Sequence, residues 1–371
     1  MNILLAPDKF KGSLTAIEVC DAIKSGLSQT HPGFNIVSIP MADGGEGTCE
    51  LLTKYFNGDT ISIEVTGPKF EKIKADYGIS KDGNTAFIEM AKASGLQLLK
   101  QENRNPLFTT TLGTGELIKD ALGRGVKKIL MGIGGSATND AGIGMAQALG
   151  FDFLDSNNNS LKPTGENLIR LSWIGTDHIH PRIKKVEFLA LCDVDNPLFG
   201  TKGAAYVYAP QKGANDEAVK LLDDGLRNFE TVVQKTFKLS ANFPGAGAGG
   251  GLPGGAKAFL NISILRGMDY IIKATDLEAK IQQADLIITG EGKIDQQTLA
   301  GKVVMEIGMM GLKHNKRVVA IAGKCELRNH ELQKIGITRV ISLVDRDVSE
   351  KEAMTNACQI ISKKIAILMN N

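Results

Sequence analysis

Short apolar runs alternate with helical repeats along much of the chain. Ile3-Leu4-Leu5 reads as a buried strand and runs into Pro7-Asp8-Lys9-Phe10-Lys11-Gly12-Ser13. Ala16, Val19, Cys20, Ile23 and Leu27 then recur at the spacing of one buried helix face. Thr15 and Glu18 have the spacing of a capping box at its start. Phe34 to Ile39 predicts a second strand, which ends in Pro40-Met-Ala-Asp43-Gly-Gly-Glu46-Gly-Thr48 before another helix. Strand, loop, helix and strand in this order imply parallel pairing with right-handed crossovers.

The period changes from about Thr60. Ile61–Val65 and Ala75–Ile79 alternate apolar and polar, and Lys81-Asp-Gly-Asn84 separates the latter from Thr85–Glu89 as a hairpin turn would. Helical patterns return near Leu117–Leu122 and Met145–Leu149, and Ile129–Ile133 between them reads as a buried strand. Asp155–Ser160 is a polar loop. Val186–Cys192 and Ala205–Ala209 predict strands, and Glu217–Phe237 predicts a long helix. The strand–helix order resumes near Arg266, with strands at Leu286–Thr289, Arg317–Ile321 and Arg339–Leu343 and a terminal helix after Ser349. The expected fold class is α/β. A Rossmann-like doubly wound parallel sheet is built from both chain ends, 1–60 and 265–371, and an inserted second α/β domain with a mixed sheet covers 61–264.

Composition narrows the function. A chain of 371 residues, 43% hydrophobic, has enough apolar material for two domains. The net charge of +2, with acids and bases interspersed and no basic arm, argues against a nucleic-acid-binding or membrane-surface protein. No stretch stays apolar long enough to span a bilayer, and the N-terminus lacks the pattern of a signal peptide. Five scattered cysteines without C-x-x-C spacing read as free thiols, so the expected location is the cytoplasm.

The chemistry concentrates in glycine-bearing loops that follow strands. Gly134-Gly135-Ser136-Ala137-Thr138-Asn139 ends the Ile129–Ile133 run as a helical pattern begins near Asp140, an arrangement that can aim backbone N–H groups at an anion. Pro7–Ser13 sets two lysines beside Asp8 after strand one. Asp43 and Glu46 follow strand two and suit a hard cation or a hydroxyl proton. Asp193, Asp195 and Asn196 follow the strand ending at Cys192, and Gln211 and Lys212 precede Gly213. Glu291, Lys293 and Asp295 close the strand from Leu286, with Lys302 beyond. Gly245–Gly250 spells G-x-G-x-x-G without a preceding strand, which favours a flexible glycine loop, or a lid or nucleotide-contacting loop, over a dinucleotide fingerprint. The histidines lie outside these loops, and Ser136 lacks a nucleophile elbow.

Taken jointly and in order, several of these stretches resemble the bacterial glycerate kinases of the type that includes the glycerate 2-kinases. They are Pro7–Ser13, Ala42–Thr48, Gly113–Leu117, Gly134–Asp140, Asp195–Leu198, Pro210–Ala214, Pro244–Gly247 and Thr289–Gly292 with Asp295 and Gln297-Thr298. Ala141 stands where a further glycine is usual, Pro253 interrupts a glycine loop, and Val304 replaces a usual proline. The resemblance implies transfer of the γ-phosphate of ATP to D-glycerate with Mg²⁺, in a Rossmann-like domain plus an inserted domain with the cleft between. It implies small-molecule partners only, and leaves the oligomeric state open. On that reading Gly134–Asn139, Asp8, Asn196, Gln211, Lys212 and Lys302 bind substrate or phosphate. Asp43, Asp193, Lys9, Lys11 and Asp295 are the catalytic candidates, and Glu46 and Glu291 are the metal candidates. A hydroxy-acid or phosphate sensor without catalysis is the alternative, and a nicotinamide-dependent oxidoreductase is the weaker one.

Overall fold

The computed structural model describes residues 1–42, 45 and 47–369. The candidates Asp43 and Glu46 therefore lie outside the described residues. The first strands are β1 (Asn2–Pro7) and β2 (Asn35–Ser38). The middle of the chain carries β3 (Asp59–Thr66), β4 (Lys72–Ile79), β5 (Thr85–Glu89), β6 (Lys128–Gly132), β7 (Asp152–Leu154), β8 (Trp173–Gly175), β9 (Glu187–Leu191) and β10 (Ser263–Leu265). The last are β11 (Leu286–Ile294), β12 (Arg317–Cys325) and β13 (Arg339–Ser342).

Two compact units result, one from residues 1–43 and 268–371 and one from 44–267. The first holds a five-stranded sheet in the order β13-β12-β11-β1-β2, parallel throughout. β1 pairs with β11 in the register Ile3↔Leu286 to Pro7↔Gly290, so the two ends of the chain form the centre of one sheet. From β1 the order runs one way to β2, and from β11 it runs the other way to β12 and β13. The gap between β1 and β11 is thus the topological switch point. Helix Ala16–Thr30 carries the capping box: Glu18 N–H donates to Thr15 Oγ1 at 3.2 Å and Thr15 N–H to Glu18 Oε2 at 2.8 Å. Its buried face (Val19, Ile23, Leu27) joins Ile3, Leu5, Ile288, Val319 and Ile361 in one core.

The second unit is built on a six-stranded mixed sheet, β10-β9-β6-β5-β4-β3, in which β10, β9, β6 and β5 are parallel and β4 and β3 are antiparallel to their neighbours. Helix Thr48–Tyr55 belongs here, although it precedes residue 60. It packs on β4 and β5, and Cys49 N–H donates to Glu89 Oε1 at 3.0 Å. Ala205–Ala209, expected as a strand, falls largely in the helix Ala204–Tyr208. Ala204, Ala205 and Ala209 are buried while Tyr206 and Val207 are exposed, which is one helical face and no strand alternation. The core runs from Ile88 and Met131 to Leu226 and Phe259, whose ring packs with those of Phe151, Phe153, Phe229 and Phe237.

Candidate functional site

In the first unit the candidate residues converge. Asp8, Lys9, Lys11, Glu291, Asp295 and Lys302 line one cavity of about 550 Å³ at the carboxyl ends of β1, β11 and β12. Asp8 follows β1 directly, and its N–H donates to Gly290 O at 2.8 Å, which sets Asp8 beside Glu291 across the switch point. Both carboxylates are buried. Thr298 Oγ1 donates to Glu291 Oε1, and Lys302 Nζ lies 3.8 Å from Glu291 Oε2, so one acid is oriented by a hydroxyl and faced by an ammonium. In the sequence Thr298 stands only as part of a motif; the turn after β11, in which Asp295 N–H donates to Thr298 Oγ1 at 3.1 Å, brings its hydroxyl to Glu291. Farther along the wall, Lys293 Nζ sits 3.2 Å from Asp295 Oδ2 and 3.0 Å from Glu326 Oε2. Burial works to raise the Asp295 carboxyl, but the Gln297 N–H, Lys293 and Lys302 outweigh it and hold it below its ordinary range.

Among the described residues no three His, Cys, Asp or Glu side chains gather as a metal site. Magnesium held together with a nucleotide uses only one or two carboxylates and fills its octahedron with water and phosphate oxygens. Asp8 and Glu291, adjacent at the strand ends and both oxygen donors, fit that requirement.

In the second unit the carboxyl ends of β5, β6 and β9 are in register, Glu89↔Gly132 and Gly132↔Leu191, so the loops that follow them emerge at one sheet edge. Gly134 and Gly135 are exposed, whereas Ser136, Ala137, Thr138, Asn139 and Asp140 are buried. The helix that follows is only Ile143–Ala148, and its N-terminal N–H groups do not await a ligand. Asp140 accepts from Gly142 N–H at 3.2 Å and Gly144 N–H at 3.4 Å, and from Thr111 N–H and Oγ1 at 2.8 Å each. Burial pushes the Asp140 carboxyl up, against these four donors. The expectation of a helix N-terminus open to phosphate is therefore corrected: the chain's own carboxylate already occupies it.

Lys212 is buried under this segment. Its Nζ donates to Ser136 Oγ and to Thr138 O, each at 2.7 Å. Burial pulls its ammonium down to about 7, with the Asp140 carboxylate acting the other way. Gln211, beside it, is exposed. Asp193 is exposed and accepts from Gly267 N–H at 3.1 Å. Asn196 is committed to its own turn, donating to Lys202 O at 2.8 Å and accepting from Tyr208 OH at 2.5 Å.

The glycine run expected as a flexible loop or lid is instead packed inside. It opens the helix Ala248–Leu260, where Gly249, Gly250 and Gly251 have positive φ. Gly250 lies against Thr138 and Asn139, and its carbonyl accepts from Ala141 N–H at 3.1 Å. The Gly113–Leu117 motif is likewise absorbed by packing, with Glu116 Oε1 accepting from Thr66 Oγ1 at 3.0 Å. Glu89, a residue the sequence reading missed, caps the helix Thr48–Tyr55 by accepting from Gly47 N–H at 2.7 Å.

Two buried acids with lysines beside them, at the switch point of a doubly wound sheet, define the class, an α/β enzyme that handles anions. Comparison with known proteins narrows the class. The sequence profile of the glycerate kinase family matches residues 3–370. A glycerate kinase of Halalkalibacterium halodurans is 43% identical over 98% of this chain and 96% of its own length. The glycerate 2-kinase of Escherichia coli K12 is 42% identical over the whole of both chains. A crystal structure from Salmonella typhimurium LT2, assigned as glycerate kinase 2, superposes with a TM-score of 0.88 at 39% identity, covering 100% of this chain and 98% of the other. The chain belongs to the glycerate kinase family. No helix among the described residues is long and apolar enough to cross a membrane.

Proposed function

We propose that this protein transfers the γ-phosphate of ATP to the 2-hydroxyl of D-glycerate and acts in the cytoplasm. Family membership supplies the reaction class, and the relative named for the 2-position favours that hydroxyl over the 3-hydroxyl. The observation that carries the residue roles is the Asp8–Glu291 pair at the switch point, with Lys9, Lys11 and Lys302 on the same cavity. In the transfer the glycerate oxygen bonds to the γ-phosphorus, the bond from that phosphorus to the bridging oxygen breaks, and the hydroxyl proton leaves to a base. Catalysis then rests on neutralising charge and aligning the partners.

Lys9, Lys11 and Lys302 neutralise phosphate oxygens or the glycerate carboxylate. Asp8 and Glu291 are the carboxylates suited to hold a nucleotide-bound magnesium ion or to take the hydroxyl proton. Magnesium, when bound, screens the phosphate charge and steadies the leaving group. Asp295, held ionised by its N–H and lysine partners, is a weaker base and serves to fix Lys293 on the wall. Gly134 and Gly135 give the backbone its close approach to an anion. Asp43 and Asp193 stay candidates for the proton and Glu46 for the metal.

The test is incubation with ATP, Mg²⁺ and D-glycerate, following ADP release and identifying the product by ³¹P NMR. 2-Phosphoglycerate is expected. Glycerate binding without ADP release means a sensor, and 3-phosphoglycerate moves the reaction to the other hydroxyl.

A further inference from the structure

We propose that Lys212 is a positioning residue, which holds Ser136 Oγ and Thr138 O of the Gly134–Asn139 segment inward so that the segment's exposed side meets an anion without repulsion from these oxygens. The inference rests on the reading that this segment contacts phosphate or carboxylate. Lys212 is only 2% exposed, so its ammonium does not itself reach a substrate. What it reaches is Ser136 Oγ and Thr138 O.

Three carbonyls of the segment are each engaged by a donor of the same unit. Gly135 O accepts from Leu96 N–H at 2.8 Å, Ala137 O from Thr109 Oγ1 at 2.9 Å and Thr138 O from Lys212 Nζ at 2.7 Å. Only the last of these donors is an amine brought in from a distant turn. That turn is stiff: Pro210 begins it, and Lys212 N–H and Gly213 N–H close it onto Ala209 O and Pro210 O at 3.0 Å each.

The segment also needs an outside tie. Thr138 Oγ1 and both polar atoms of the Asn139 side chain are buried without a partner among the described residues. A buried polar group without a partner costs about 1–3 kcal/mol, so these side chains do not themselves hold the segment in place. An apolar side chain of similar size could fill the Lys212 position without the cost of desolvating an amine. It could not direct two oxygens inward.

The test compares wild type with Lys212→Met, Ser136→Ala and the double variant. For K212M, kcat/KM for the substrate bound by the segment, ATP or D-glycerate, falls about 10–100-fold, as misplacement of a binding element does, and KM carries most of the change. S136A, which removes one of the two acceptors, loses about 3–10-fold. The double variant is no worse than K212M, because both act through one contact. Amide hydrogen exchange is measured on the substrate-free proteins. Peptides covering 134–140 exchange about 10-fold faster in K212M while the first unit is unchanged. Unaltered exchange at 134–140, kcat/KM within about 2-fold of wild type, or additive losses in the double variant overturns the proposal. Should K212M fail to fold, S136A decides by the same two readouts. Wild type without glycerate-dependent ADP release sinks the kinase reading instead, and the exchange result still judges Lys212.

Discussion

Gly250→Ala puts the packing of the anion segment under direct test. A Cβ built on Gly250 lies 1.9 Å from Thr138 O and 2.7 Å from Asn139 Cα, both backbone atoms that no rotamer change can move aside. Comfortable non-bonded separation is roughly 3.5 Å, so the helix start and the segment must part by about 1.5 Å. The backbone adds its own cost, because φ at Gly250 is +75°, and a left-handed residue with a side chain costs about 1–2 kcal/mol. Overpacking of this kind typically costs a further 1–3 kcal/mol, so a loss of about 2–5 kcal/mol is expected. Urea unfolding gives the stability change, and kcat/KM with ATP and D-glycerate gives the functional one. Gly123→Ala is the control: nothing lies within 4 Å of its Cβ, and it is expected to be neutral or stabilising by about 0.5–1 kcal/mol. Activity in Gly250→Ala should fall further than stability alone explains, because the displacement lands on Thr138 and Asn139. A variant within about 1 kcal/mol of wild type, with unchanged kinetics, would refute the packing argument.

Three further outcomes are expected. Gly135→Val places a branched side chain at φ +76° with its Cβ 3.1 Å from Ala91 Cβ, so kcat/KM should drop about 10²–10³-fold with an unchanged far-ultraviolet circular dichroism spectrum. Asp8→Asn and Glu291→Gln should each lower kcat about 10²–10⁴-fold if the residue takes the proton, whereas a metal ligand shows itself by partial rescue at high Mg²⁺ in a titration. The Lys212 ammonium is depressed to about 7 in the folded chain, and its ordinary value is 10.5, so the unfolded chain binds more protons between these values. Folding stability should therefore rise with pH from about 7 to 10 by a few kcal/mol in wild type relative to K212M, and parallel urea midpoints for the two proteins across that range would contradict a buried, depressed lysine.

Periodicity in the sequence determined most of the elements, since alternation and the helical repeat are local records of which face is buried. It showed the switch from strand–helix units to a hairpin near Lys81–Asn84 and back near Arg266. It also showed that the charged glycine loops follow strands, and the ordered motifs were enough to point to the family. It misread Ala205–Ala209, where small residues carry too little pattern to separate a strand from a helix. Three decisions belonged to the tertiary structure alone. Asp8 and Glu291 became neighbours because β1 pairs with β11, a register no local signal encodes. Asp140 closed the helix N-terminus that its own loop was expected to leave open, since Thr111 N–H and Oγ1, brought in from another loop, fix its carboxylate beside Gly142 and Gly144. Lys212 and the Gly249–Gly251 run, loop residues by their sequence, were drawn inside against Thr138 and Asn139. Composition records what a residue prefers on average, but only long-range pairing decides which backbone groups are left needing a partner.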